Sequence, residues 1–262
     1  QVYRTEILPG AVLTRVAASH IRVGTFQYFA ARGDHEAIKA LLDYVIDRHY
    51  PEARHAEVAA LAVLKAITAR QAALIAEWMR VGFIHGVMNT DNMALSGETI
   101  DYGPCAFMDR YDPQTVFSSI DLGGRYSYTN QPGIAQWNLA RLAETLLPFI
   151  DADEKKAIEL ATGVIEGFVE QFEMAFLAHM RRKIGLASSE DGDADLITLL
   201  LAAMQQGQAD FTLTFSRLSR AAHDPSEDAA LHELFTAPAD LDGWLKAWRA
   251  RLALDPQTPA QR

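Results

Sequence analysis

The chain has 262 residues, 49% of them hydrophobic and 22% charged, the balance of a globular protein and not of a disordered one. Its formal net charge of −10 excludes the broad positive field that general binding to nucleic acid or anionic membrane requires. Neither is an expected partner, and any bound polyphosphate would need local cations or metal to offset the acidic background.

Cys105 is the only cysteine, so an intrachain disulfide or a cysteine-rich zinc site is ruled out and a reducing compartment fits. The opening residues, Gln1-Val2-Tyr3-Arg4-Thr5-Glu6, have no basic region followed by an apolar run, which is not the pattern of a signal peptide. They enter a patterned sequence abruptly and without Met, as expected for a piece of a longer protein. No apolar run is expected to approach the length of a membrane span.

In chain order, residues 2–29 mix short β-rich runs with Gly and Pro, as in Pro9-Gly10-Ala11-Val12-Leu13 and Arg22-Val23-Gly24-Thr25-Phe26. Gly33-Asp34 then provides a break and an N-cap for a helix carrying Ile38, Leu41, Leu42, Val45 and Ile46 on one face, closed by Pro51. A longer helix is predicted over residues 57–80, with Val58, Leu61, Leu64, Leu74, Ile75 and Trp78 as its apolar face. Residues 81–131 carry many Gly, Pro, Asp and Asn residues, which predicts short elements joined by functional loops. Within them, residues 93–100 read as a small hairpin turning at Ser96-Gly97.

Helical spacing returns with Ile134, Trp137, Leu139, Leu142, Leu146 and Leu147, and Pro148 is the expected stop. Asp151 and Glu154 have capping-box spacing for a helix expected to reach Gly185, with Phe168, Phe172, Phe176 and Met180 on its stripe. Gly163 and Gly167 inside it read as points of close helix packing, and Arg181, Arg182 and Lys183 as complements of the helix dipole. Two or three short helices and a Pro-containing tail from Asp255 complete the chain.

The chemistry is concentrated in one run, Gly82-Phe83-Ile84-His85-Gly86-Val87-Met88-Asn89-Thr90-Asp91-Asn92-Met93, followed by Thr99-Ile100-Asp101-Tyr102-Gly103-Pro104. Kinases place H-R-D-x-x-x-x-N before a short hairpin and D-F-G after it, and use the Asn and the second Asp to hold magnesium at the phosphates. His85 and Asn92 have that separation, and Asp101-Tyr102-Gly103 follows the hairpin. Oxygen donors from Asn92 and Asp101 suit a hard cation such as Mg2+. Counting from His85, the place of the kinase base is Val87 and that of the neighbouring Arg is Gly86. A conventional base is missing, while Asp91 offers another carboxylate directly before Asn92. His85 itself reads as a structural residue bonded to nearby backbone. By themselves, the Asp-Asn pair and the D-Y-G triplet are common turn sequences; their joint spacing is what singles them out.

The wording of this run resembles the SelO family, whose hallmark is G-F-x-H-G-V-M-N-T-D-N-M followed by T-I-D-Y-G-P. The resemblance extends over residues 9–17 and 19–26, Tyr28-Phe29-Ala30-Ala31-Arg32-Gly33, Asp43-Tyr44-Val45-Ile46, Gly124-Arg125-Tyr126-Ser127-Tyr128 and Asn130-Gln131-Pro132. It implies an α+β, mainly α fold: a protein-kinase-like C-lobe with a small β-hairpin and extra C-terminal helices. Residues 1–150 would form the catalytic core of the lobe and residues 151–262 a helical region packed on it.

The activity implied is adenylyltransfer, in which AMP moves from ATP to Ser, Thr or Tyr hydroxyls of protein substrates. Asp91 matches the family's base, Asn92 and Asp101 its metal ligands, and Arg15 and Arg22 its phosphate contacts, with Asp101 also near the triphosphate. Mg2+ or Mn2+ would accompany ATP, which the family is thought to bind inverted relative to kinases. Without the resemblance, Arg15 and Arg22 would read as surface or salt-bridge residues. The location implied is cytoplasmic in a bacterium or mitochondrial in a eukaryote, and the oligomeric state is left open.

The family's Gly-rich loop with its Lys and Glu partners would lie before Gln1, and a further C-terminal segment after Arg262. The isolated stretch would then be inactive. Ser118 and Ser119 stand where some members carry a redox-paired cysteine, and Cys105 reads as a small packed residue. Two other readings of the residues stay open: a noncatalytic nucleotide-binding switch, and an ordinary kinase using Asp91 as a displaced base.

Overall fold

The computed structural model describes residues 11–236 and 241–256. The Pro9-Gly10 pair and the end of the tail lie outside the described residues. The fold is mainly helical, with one two-stranded antiparallel sheet among the described residues.

Helix α1 (Val23–Ala30) occupies a stretch where β-rich sequence predicts strands. Among the described residues of that stretch, only Arg22 keeps extended pairing, as a bridge to Ala94. The helix wins because Val23 and Phe26, three residues apart, both sink into the core. Its first turn is also tied locally: Arg22 N–H donates to Thr25 Oγ1 at 3.2 Å. Helix α2 (His35–His49) begins as read, with Asp34 Oδ1 accepting from Ala37 N–H at 2.9 Å.

Helix α3 (Ala59–Val81) is the centre of the core, packed against α4 (Gln131–Ile150) and α5 (Glu154–Lys183). Its 23 residues are long and apolar enough for a membrane span, which corrects the expectation that no such run exists. Leu64, Ile67 and Ile75 are fully buried within the fold, however. Its polar side chains also find partners inside: Thr68 donates to Leu64 O and Gln71 to Ala94 O. Gly82, in the left-handed conformation at φ +72°, ends α3 and reverses the chain.

The sheet pairs β1 (Phe83–Ile84) with β2 (Ala106–Phe107). The hairpin expected at 93–100 is reduced to a single bridge, Met93 to Thr99, closed by Gly97 N–H donating to Ala94 O at 3.2 Å. Gly97 takes φ +75°, which makes Ser96-Gly97 the turn as read.

Helix α4 runs through Pro148 and ends at Ile150, later than the proline predicted. Pro148 lies in the last turn, where only one internal hydrogen bond is lost. The cap of α5 is Asp153, two residues after the expected Asp151, and it accepts from Lys155 N–H at 3.0 Å. Asp151 instead accepts from Asp153 N–H and pairs with Lys156 at 2.6 Å. Gly163 opens onto free space and a Cβ at Gly167 would meet only the Gln171 side chain, so neither marks a close helix crossing.

Helices α6 (Asp193–Gln206), α7 (Phe211–Ala221), α8 (Asp228–His232) and α9 (Leu241–Leu254) complete the described residues, one more than the largest number predicted. They are pinned by a buried charge cluster. Asp193 accepts from Arg251 Nε at 2.7 Å and pairs with Arg181 at 3.0 Å. Arg181 therefore serves an ion pair, not the dipole alone.

Candidate functional site

The loop after α3 is held rigid by side chains that reach its backbone. His85 is fully buried, with Nε2 at 2.8 Å from Ile100 O and Nδ1 accepting from Val87 N–H at 3.4 Å. These contacts fix the tautomer with the proton on Nε2. Burial pushes the imidazole below its usual pKa, against the opposing pull of the Ile100 carbonyl and Asp101, so the ring is neutral at pH 7. His85 is thus the structural strut the sequence predicted. Gln131 accepts from His85 N–H and donates to Phe83 O, both at 3.0 Å, and Asn138 donates to Met88 O at 2.8 Å.

Gly86 has φ +83°, and a Cβ there would lie 3.0 Å from Pro104 Cγ and 3.2 Å from Pro104 O. A side chain in this place, including the Arg of kinases, is excluded by the approach of the two loops. Val87 follows with its carbonyl accepting from Asn92 Nδ2 at 3.0 Å. That bond turns the Asn92 amide so that Oδ1 is the atom left to ligate a cation.

Asp91 sits in the short 3-10 turn Thr90–Asn92, whose N-cap Asn89 accepts from Asp91 N–H at 3.0 Å. Its carboxylate lies against the first turn of α1, close enough that a Cβ on Gly24 would stand 2.2 Å from Oδ1. Arg22, the N-cap residue of that turn, is half-buried, and its Nε has no hydrogen-bond partner among the described residues. An orphaned buried guanidinium nitrogen calls for an anion.

Arg15 and Asp101 face one another, Nη1 to Oδ1, at 3.9 Å. They line a cavity of about 650 Å3 together with Thr14, His20, Thr99 and Tyr102. Asp101 holds φ +61°, a left-handed conformation that is uncommon outside Gly and concentrated at functional positions. The segment bearing Arg15 and Arg22 is stapled in place: Ala18 N–H donates to Glu98 Oε2 at 3.0 Å, and Arg48 donates to Ala18 O at 2.8 Å.

Arg15 and Asp101 therefore share a cavity, and Arg22 and Asp91 share the first turn of α1. Asn92 is turned toward the Val87 side of its loop and is absent from the lining of that cavity. No group of three His, Cys, Asp or Glu side chains that could enclose a metal occurs among the described residues. The donor set of one amide oxygen and one carboxylate fits Mg2+, which keeps waters and takes its other ligands from phosphate. Gly24, Gly86, Glu98 and Arg48 were missed in the sequence because their roles are contacts between segments far apart in the chain.

The family model described as protein adenylyltransferase SelO matches residues 1–262. A protein nucleotidyltransferase YdiU of Rhizobium rhizogenes is 62% identical over 261 residues, covering 100% of this chain and 52% of that protein. Proteins of the same name from Rhizobium meliloti and Rhodopseudomonas palustris are 61% and 59% identical, again over 100% of this chain and 53% of theirs. The chain spans about half the length of the curated relatives it matches.

Proposed function

The chain belongs to the SelO family, and from that premise we propose that it is the metal- and phosphate-binding lobe of a protein adenylyltransferase. The lobe is kinase-like, with residues 1–150 as its core and residues 151–262 as helices packed on it. The observation that carries the reading is the pairing of Arg15 and Asp101 across one cavity, a cation for phosphate opposite a carboxylate for metal. The orphaned Nε of Arg22 supports a second phosphate contact. A guanidinium fork suits phosphate oxygens in both places.

Asn92 and Asp101 would hold Mg2+ or Mn2+, and the ion would neutralise charge on the triphosphate of ATP. Asp91 accepts the proton of a Ser, Thr or Tyr hydroxyl on the substrate protein. The hydroxyl oxygen bonds to the α-phosphorus as its bond to the bridging oxygen of the β-phosphate breaks. AMP is left on the protein, and pyrophosphate departs with the electron pair. Val87 supports a departure from the usual kinase arrangement, since an apolar side chain stands where the base would be.

Positioning supplies most of the catalysis in such transfers, and no Gly-rich phosphate loop with a partnered Lys occurs in these 262 residues. We propose that this stretch by itself transfers no nucleotide and that the activity needs a protein of the length of its relatives, of which it spans about half. The test is incubation of that longer parent protein with divalent metal and ATP labelled at either the α- or the γ-phosphate. Label on protein from the α position alone is the expected result. Label from the γ position would mean an ordinary kinase, and label from neither, with nucleotide bound, a noncatalytic switch.

A further inference from the structure

Gly24 is the second residue of α1, and its backbone does not need glycine: it is not among the residues with positive φ. In a helix, Ala is favoured over Gly by about 0.5–1 kcal/mol, so glycine here is a local disadvantage. The space beside it explains the choice. A Cβ on Gly24 would lie 2.2 Å from Asp91 Oδ1, 3.0 Å from Asp91 Cγ and 3.4 Å from Thr90 O. The carboxylate occupies the place where any other residue would carry its side chain.

Neither backbone can retreat to make room. Val23 N–H donates to Met93 O at 3.1 Å and Leu95 N–H to Ile21 O at 2.9 Å, which ties both sides of the α1 start to the chain just after Asp91. Val23 and Phe26 anchor the same turn in the core, each 1% exposed. The atom left to yield is the far end of the Asp91 side chain. A methyl group at residue 24 would rotate the carboxylate away and leave the fold in place.

We propose that Gly24 is a positioning residue for the base, one that sets where the Asp91 carboxylate stands relative to Arg22 two residues earlier on the same turn. The proposal rests on the reading of Asp91 as the base of AMP transfer. Gly24 has no side chain to offer nucleotide or acceptor; it acts by leaving a notch that the Asp91 carboxylate fills.

The experiment compares Gly24→Ala, Asp91→Ala and the double variant in the parent protein, using α-labelled ATP and thermal unfolding. A displacement on the order of 1 Å costs about 10²-fold in rate, so Gly24→Ala should lose about that factor in kcat with the KM for ATP nearly unchanged. Its unfolding midpoint should stay at or above that of the wild type. The double variant should transfer no more slowly than Asp91→Ala alone, because the carboxylate that Gly24 accommodates is gone. Should Gly24→Ala lower the midpoint, recovery in the double variant keeps the clash as the cause, and no recovery overturns it. Wild-type kcat in Gly24→Ala, a multiplied loss in the double variant, or a loss confined to KM would each overturn the proposal. A wild-type parent that transfers no α label would instead sink the reading of the activity, and the role of Gly24 with it.

Discussion

Arg15 Nη1 stands 3.9 Å from Asp101 Oδ1, and the two side chains are 50% and 48% exposed. At that separation and exposure the pair contributes about 1 kcal/mol or less to the fold. Its value lies in placing opposite charges on one cavity wall. Replacing Asp101 by Asn keeps a residue that tolerates φ +61° and removes the charge a divalent cation needs. The expected outcome is a parent protein with an unchanged unfolding midpoint and no metal-dependent affinity for ATP, measured by isothermal titration. Asp101→Ala should lose the same binding and be less stable by about 1 kcal/mol, because alanine resists the left-handed backbone.

His85 gives a prediction whose sign follows from its burial. Desolvation lowers its pKa in the folded protein, while the unfolded chain titrates near the ordinary value of about 6.5. As pH falls below that value the unfolded state gains a proton that the folded state refuses, so stability is lost until the folded pKa is passed. Above it, both forms are neutral and this group adds no slope. Denaturant unfolding between pH 7 and 5 should therefore show a steeper loss for the wild type than for His85→Gln. The variant should also be weaker at pH 7 by about 1–3 kcal/mol, since the carbonyl of Ile100 and the N–H of Val87 would lose well-placed partners.

Those same contacts show what a sequence makes legible. The spacing of His85, Asn92 and Asp101, the N-cap at Asp34 and the apolar face of α3 are local patterns, and each is read without knowing what lies opposite. Helix α1 was not legible, because two buried residues on little more than two turns give no clear period and Gly24 weakens the helical signal further. What decides for a helix there is the core beneath Val23 and Phe26 and the Asp91 carboxylate beside Gly24. Pro148 misled for a related reason: proline forbids a hydrogen bond, and whether one is needed depends on how much helix remains. At α1 a tertiary partner outweighed the local rule, and at Pro148 the place of the residue in the last turn did.

Lys183 closes α5 in an apolar setting, with Nζ 2.5 Å from Arg80 O and 4.0 and 3.9 Å from the ring centres of Phe211 and Phe215. Burial, helped by the Arg80 charge, pushes its pKa down to about 7. The carbonyl and the two ring faces favour the ammonium and oppose that shift. The unfolded chain holds this proton up to about 10.4. Between the two values the unfolded state binds more protons, so stability contributed here rises with pH and is lowest below about 7. Denaturant midpoints at pH 7 and 9 should differ by less in Lys183→Met than in the wild type, with the wild type gaining on the alkaline side. An equal difference in both would place the titration elsewhere.

Asp91 is the residue on which the three readings of the activity divide. Its backbone is fixed by the Asn89 cap and its carboxylate by the notch at Gly24, so the side chain is held in place and yet exposed to an incoming hydroxyl. Asp91→Asn preserves that shape and removes the capacity to take a proton. In the parent protein, ATP affinity measured in the presence of Mg2+ should be unchanged, because the proposed phosphate and metal contacts lie on Arg15, Arg22, Asn92 and Asp101. Transfer of α label to protein should fall by about 10²–10⁴-fold, the range a general base contributes. The loss should also be smaller at high pH, where acceptor hydroxyls part with their protons more readily without help. Full activity in the Asn variant would remove Asp91 from proton transfer. Lost ATP affinity in the same variant would make Asp91 a ligand of the nucleotide–metal complex.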